Sequence, residues 1–451
     1  MKERPLSWFA KAIGIAAFCN KGVTNVQTDS RKIQPGTLFF ALKGARVDGH
    51  AFLKEVAEKG AVGAVVSIDY RGESHGLELL MVDDVIEALQ TLARKEIEDR
   101  GVRVVAVTGS VGKTTTKEFL STLLSAKYRV AKTPGNANSQ VGIPLSILNS
   151  DGDEELFVME MGMTDAHQIE KLVQIAPPYL SLITRIGLAH VGSFSDGIEG
   201  VARAKSEIFS HPKTRFGLYN ADSGNFRALE ETGRCEKRSF GYQKICPARA
   251  DYLLKNEGDL FVIEEEGRAV CKFSLPFEAT HLCEDFIASA SAANLLGVDW
   301  SIIAKIAPTL TVYESRFEKI ERAGVTFIND AYNANPTSML AAFANLPVRK
   351  EGGRRIGVLG PMADLGALSE HYHREIGLEA LSHFDHLLCI GSECLPIQEI
   401  FSKNGRAAEH FDEISALGAR MMSLAKENDL VLIKGRNSAN LWKLLEMFIS
   451  L

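Results

Sequence analysis

Apolar residues fall into short runs separated by stretches of helical period. In the first hundred residues "TLFFAL", "GAVGAVVSI" and "LELLMV" read as strands, with a helix expected from about Ala51 to Lys59. Ahead of them Leu6, Phe9, Ala10, Ile13 and Ala17 recur at helical spacing, as in an amphipathic helix. The same stretch has a basic start and an apolar run, as a signal peptide does, but Lys11 interrupts the run. Further on, "VRVVAV", "ELFVMEMG" and "YLSLITRIG" are each followed by helical pattern, the βαβ signature of a parallel sheet. "YLLKNEGDLFVIEEEGRAVCKFSL" alternates apolar and polar residues across two turn signals, which predicts an antiparallel insert. Finally "VTFIND", "RIGVLG", "HLLCIG" and "DLVLIKG" alternate with helices, a second open α/β unit without GxGxxG. Three α/β sections are expected, over residues 1–97, 98–311 and 312–451.

Composition narrows the class only modestly. The 451 residues are 45% hydrophobic and 24% charged, an ordinary globular balance with room for several domains. A net charge of −6 leaves no basic footprint for nucleic acid, and no apolar run reaches membrane-spanning length. Seven cysteines, at 19, 235, 246, 271, 283, 389 and 394, form no CxxC, so reduced thiols in a cytoplasmic protein are expected.

The chemistry begins at "VTGSVGKTTTKEFL". Thr108, Gly109, Ser110, Val111, Gly112, Lys113, Thr114 and Thr115 lie between an apolar strand and a helical pattern. Small residues there let backbone N–H groups converge on a phosphate at a helix N-terminus; Lys113 neutralises it and the Thr114 hydroxyl suits Mg²⁺. The usual P-loop spacing would put its first glycine at 107, where this chain has Val107. The alternative is a glycine-rich turn with a surface lysine.

Other strand ends repay reading, because doubly wound sheets bind ligands there. Glu160 ends an apolar run, either as a Mg²⁺ ligand or as a core-edge carboxylate with a local hydrogen bond. His190 follows the next strand, and a lone histidine is more often structural. Lys205, on a helix after a glycine-rich loop, reads by spacing as a solvated lysine. Gly135, Asn136 and Asn138 are turn residues or polar contacts.

"TGSVGKTTTKEF", "TPGNANSQVGIPLSIL", "VMEMGM", "AKSEIF" and "NDAYNANPTSM", in this order, resemble the motifs of the Mur ligase family, and "DSRKIQPGTLFFALKGARVDGHAF" resembles its UDP-binding segment. The resemblance implies three α/β domains: a central P-loop-type parallel sheet between an N-terminal UDP-binding domain and a C-terminal Rossmann-like domain. It implies ATP and two Mg²⁺ as cofactors, with UDP-N-acetylmuramoyl-tripeptide and D-alanyl-D-alanine as substrates of an amide ligase. The family lysine that carries a CO₂-derived carbamate matches Lys205, and Glu160, His190 and Thr114 would join it around the metals. Arg316, Asp330 and Asn333 would reach the nucleotide from the C-terminal domain, and Asn136 from the central one. Ser30, Arg31, Lys43, Asp48, Asn138 and Ser139 would contact the UDP-peptide. A monomer is expected, with hinges near 84–100 and 308–316.

The chain departs from the family pattern in places. Ser315 stands where a glycine usually precedes the family arginine, and Asp285 where an asparagine contacts adenine. A carboxylate accepts from the adenine amino group but cannot donate to a ring nitrogen. "GPMADLG" and "KGRN" differ from the usual "GDMxELG" and "KGSR". Alternatives are a ligase adding the third peptide residue, which typically carries a DNPR motif absent here, and a folylpolyglutamate-type ligase, which typically lacks the first domain. A P-loop switch is a further alternative, but it has no need of the Glu160, His190 and Lys205 set.

Overall fold

The computed structural model describes residues 1–16, 20–44, 47–244 and 250–449. Ala17, Cys19 and Cys246 lie outside the described residues; the other five cysteines are free. The N-terminal helix α1 (Leu6–Ala12) buries Leu6, Phe9 and Ala10, and Ile13 caps it. Strands β1 (Asn25–Gln27), β2 (Thr37–Phe40), β3 (Gly63–Ser67) and β4 (Glu78–Val82) form a parallel sheet in that order. The helix expected over 51–59 is α2 (Leu53–Glu58), entered through a 3₁₀ turn at Gly49–Phe52.

Helix α3 (Val85–Arg100) spans the first expected hinge. Asp84 caps it, accepting from the amides of Ile86 and Glu87, and Gly101 ends it at φ +61°. Between these caps Val85, Ala88, Leu89, Leu92, Ala93 and Ile97 are buried. One apolar cluster runs from Leu6, Phe9, Val26 and Leu38 through this helix to Val104, Ile143 and Phe157. A continuous helix sharing a core with the next section offers few free dihedrals to the hinge expected over 84–100.

The central sheet contains β5 (Arg103–Thr108), β6 (Val130–Lys132), β7 (Leu156–Glu160), β8 (Pro178–Ile183), β9 (Phe216–Asn220), β10 (Glu236–Tyr242), β11 (Tyr252–Glu257), β12 (Leu260–Glu265) and β13 (Arg268–Phe273). Their order is β13-β12-β11-β10-β9-β8-β5-β7-β6, parallel up to β11 and then the antiparallel meander that the sequence predicts. Val104 and Ala106 pack on one face while Val105 and Val107 pack on the other, so the run without alternation marks a strand covered on both sides. Helices α4 (Lys113–Leu124), α5 (Gly142–Leu148), α6 (Gln168–Ile175), α7 (Ile198–Ser206) and α8 (Thr280–Leu295) lie around this sheet.

The last section has β14 (Glu318–Arg322), β15 (Val325–Asp330), β16 (Arg355–Leu359), β17 (His386–Ile390), β18 (Ala407–Phe411) and β19 (Leu430–Lys434). They are ordered β14-β15-β19-β16-β17-β18, with only β14 antiparallel. Helices α9 (Pro336–Ala344) and α10 (Ser369–His383) pack beside it. Glu160 ends β7, Asp330 ends β15 and Lys434 ends β19. The carboxyl ends of both sheets therefore face one cavity. No helix among the described residues is long and apolar enough to cross a membrane.

Candidate active site

The cavity has a volume of about 890 Å³ and is lined from both sheets, by Lys113, Thr114, Glu160, His190 and Lys205 on one side and Arg316, Asp330, Asn333 and Lys434 on the other. Its floor is the turn between β5 and α4. Thr108 Oγ1 donates to the Met161 carbonyl at 2.7 Å, and Ser110 Oγ donates to the Gly187 carbonyl at 2.9 Å. Gly112 has φ +86°, and a Cβ there would overlap the Asp285 carboxylate, so both its conformation and its neighbour demand glycine. Lys113 Nζ folds back to donate to the Gly109 carbonyl at 2.7 Å. Enclosure lowers its pKa, opposed by the charge of Glu160.

Glu160, buried at 2% exposure, accepts from two sides: Thr114 Oγ1 donates to Oε2 and Asn138 Nδ2 to Oε1, both at 2.8 Å. Thr114 Oγ1 in turn accepts from Arg316 Nη2 at 2.7 Å, and the Arg316 guanidinium stacks 3.7 Å over the Tyr332 ring. Arg316 thus spans the two domains at the P-loop hydroxyl.

Lys205 corrects the sequence expectation most sharply. Far from solvated, it is 1% exposed, and its ammonium makes no hydrogen bond or ion pair among the described residues. Burial, reinforced by the charge of Lys113, pushes its pKa well below the usual lysine range. His190 sits in left-handed backbone at φ +59°, and burial, aided by Lys205 and Lys113, brings its pKa down to about 4. A neutral imidazole is the form that ligates metal.

Asp330 accepts from Lys434 Nζ at 2.6 Å and from the Phe317 amide at 3.2 Å. Lys434 also donates to the Asn333 carbonyl at 3.1 Å, while Asn333 Oδ1 takes the Ala334 amide. Sequence reading missed Lys434, although it ends the apolar run "DLVLIK", the kind of position that flagged Glu160. It also missed Lys117, fully buried on α4, which donates to the Thr133 and Gly135 carbonyls and so holds the loop carrying Asn136, Asn138 and Ser139 at the cavity.

Six expected residues are not among those lining this cavity: Thr108 and Gly109 lead into its floor, and the other four belong to the first section. Ser30 and Arg31 follow β1 and Lys43 and Asp48 follow β2, at carboxyl ends of the first sheet. Arg31 pairs with Asp29, Lys43 bridges Asp48 through backbone, and Asp48 accepts from His50.

Residues 22–111 match the Mur ligase family catalytic domain, residues 107–293 the Mur ligase middle domain and residues 315–437 the Mur ligase glutamate ligase domain. A UDP-N-acetylmuramoyl-tripeptide–D-alanyl-D-alanine ligase of Bacillus subtilis (strain 168) is 33% identical over 95% of this chain and 93% of its own length. The chain belongs to the Mur ligase family. A ligase of the same name from Escherichia coli (strain K12) is 31% identical over 92% of this chain and 91% of its own. The crystal structure of MurF from Acinetobacter baumannii superposes with a TM-score of 0.85 at 26% identity, covering both chains fully. That of MurF from Thermotoga maritima in complex with ADP gives 0.79 at 28% identity, over 95% of this chain and 97% of the other.

In this Mur ligase two of the departures, Ser315 and Asp285, have structural accounts. Ser315 adopts φ +57°, the conformation that the usual glycine takes freely. Its amide donates to Glu318 at 3.1 Å and its hydroxyl accepts from Asn329 at 3.1 Å, which offsets the strain. Asp285 is 6% exposed beneath the P-loop, where Thr116 Oγ1 donates to it at 3.2 Å. Burial, with the neighbouring charge of Glu284, raises its pKa well above the carboxylate range.

Proposed function

We propose that this chain is an ATP-dependent ligase that joins D-alanyl-D-alanine to UDP-N-acetylmuramoyl-tripeptide in peptidoglycan precursor synthesis. Its relatives at near-full coverage carry that name. Residues 1–97 bind the UDP end through Ser30, Arg31, Lys43 and Asp48. Residues 98–311 hold ATP on the P-loop, and 312–451 close over it with Arg316, Asp330 and Asn333. The protein works as a cytoplasmic monomer on these small-molecule substrates.

A carboxylate is a poor acyl donor because it would have to expel oxide. Transfer of the γ-phosphoryl group breaks the bond to the β-phosphate oxygen and forms an acyl phosphate. The incoming amine then attacks the acyl carbon, phosphate departs, and the amine proton is lost as the amide forms. Such chemistry is positioning plus charge neutralisation. Lys113 and Arg316 meet the phosphoryl oxygens, while Asn138 and Thr114 orient Glu160.

The observation that carries the reading is Lys205, buried without a partner beside Lys113, Glu160 and His190. Its neutral amine adds to CO₂, forming an N–C bond and releasing a proton, which leaves a carbamate whose single negative charge is shared over two oxygens. Beside Glu160 and His190 such a carbamate would add an anionic oxygen ligand suited to Mg²⁺. Thr114, Glu160, His190 and the Lys205 carbamate would hold two Mg²⁺ ions, which when bound offset phosphoryl charge.

The test is phosphate release over a panel of amines with and without UDP-N-acetylmuramoyl-tripeptide. Release is expected only with the UDP-peptide and D-alanyl-D-alanine together. Equal release with either one alone, or with glutamate on a folate acceptor, would overturn the reading.

A further inference from the structure

The loop that follows β16, Gly360 to Gly366, stays in the last section but touches the central one at His190 and Gly192. His190 Nδ1 lies 3.0 Å from Asp364 Oδ2, but it is enclosed without an aligned hydrogen bond. Both residues hold left-handed backbone, at φ +59° and +57°, which turns the two loops face to face. Two residues beyond His190, a Cβ on Gly192 would stand 2.8 Å from the Leu365 carbonyl group and 3.0 Å from the Gly366 nitrogen. The loops therefore meet backbone to backbone. Val191 of the central domain and Leu365 share the apolar cluster of the C-terminal domain.

The Asp364 loop is itself held in place. The Met362 amide donates to His373 Nε2 at 3.2 Å, and His373 Nδ1 donates to the Ser369 carbonyl at 2.7 Å. The Ala363 amide donates to the Ala334 carbonyl at 3.0 Å. His373 is fully buried. Both anchors, at Met362 and Ala363, immediately precede Asp364.

We propose that Asp364 is a positioning residue which, only when the C-terminal domain is docked, fixes the tautomer and ring orientation of His190 for metal binding. The inference rests on reading His190 as a ligand. A ligating imidazole offers one nitrogen and carries its proton on the other, and an adjacent carboxylate selects which. The charged groups that act on the ring from its own domain are Lys205, the residue read here as a carbamate directed at the metals, Lys113, which accepts nothing, and Asp165, which acts only as a more distant charge. Asp364, from the opposite domain, is the acceptor within reach of Nδ1. Docking thereby orients one of the ligands, so that the site matures when the domains close.

Mn²⁺ titration followed by electron paramagnetic resonance, in the presence of ADP, tests this on the full chain. Asp364→Ala is expected to weaken one class of Mn²⁺ site by about 10–100-fold, the range for outer-shell partners of ligating histidines. Asp364→Glu should recover part of that loss. In a Gly192→Val background, where scattering should report undocked domains, adding Asp364→Ala should cost nothing more. Wild-type Mn²⁺ affinity in Asp364→Ala, with affinity lost in His190→Ala, overturns the inference alone. An undiminished loss in the Gly192→Val background overturns its dependence on docking. If His190→Ala itself binds Mn²⁺ normally, the reading of His190 falls and takes the inference with it.

Discussion

At Lys205 one residue carries two opposing histories. Its place one turn beyond Val201 puts it on the apolar side of α7, an offset legible in "GVARAKSEIF". That this side fronts a cavity, with Lys113 close enough to depress its pKa, follows from long-range packing that no local pattern encodes. Reading it as solvated overlooks that offset, and the family motif is the signal that finds its chemistry. Lys205→Ala is expected to lose roughly 10²–10³-fold in turnover, the scale for removing one group that stabilises developing charge. Acetate should partly restore it by occupying the vacated oxygen positions. Lys205→Arg should be inactive and beyond rescue, because guanidinium keeps its charge and fills the space. Near-wild-type turnover in Lys205→Arg, measured by steady-state phosphate release, would contradict the carbamate.

Among elements, those buried on both faces were the most legible. β5, β7 and β8 read directly as apolar runs, because each face of these strands is covered. β14, "EKIER", carries no such pattern: it is an edge strand paired on one side, with little apolar surface to hide. The start of α8 illustrates a feature that sequence cannot show. His281 packs edge-on against Phe317 of the C-terminal domain, 4.7 Å between ring centres, and its Nδ1 is enclosed without a partner. Burial lowers its pKa from 6.5 to about 4. Below pH 6.5 the unfolded chain takes up a proton that the folded one refuses, so stability falls with pH until about pH 4. The difference amounts to about 2 kcal/mol between pH 7.5 and pH 5. Denaturant titrations at these two pH values should show a smaller drop in His281→Asn than in wild type. An identical drop would mean that His281 is not the group responsible.

For the whole molecule, three sheets and their order were readable because βαβ alternation constrains topology. The join between the first two sections was not. The helix linking them looked like a connector, yet it shares one core with both sections. Motion should therefore concentrate at the second junction, where Leu310 to Arg316 leads into β14 with Ser315 and Phe317 both at positive φ. Arg316 to Thr114, the His281–Phe317 stack and the donation from the Leu188 amide to Thr337 at 2.9 Å hold the docked form. Small-angle scattering with an ATP analogue and UDP-peptide together is expected to show a smaller radius of gyration than the free protein. The change should disappear when Gly187→Val crowds Thr337. Profiles unchanged by both ligands would argue against a closing C-terminal domain.

The central claim is that ATP activates a carboxylate for amide formation. It is tested most directly with UDP-N-acetylmuramoyl-tripeptide carrying ¹⁸O in its terminal carboxylate, in a reaction with ATP and D-alanyl-D-alanine. Mass spectrometry of the released phosphate should find one ¹⁸O transferred for each amide bond formed. Phosphate released without the label, while the amide still forms, would contradict an acyl phosphate and with it this account of the site.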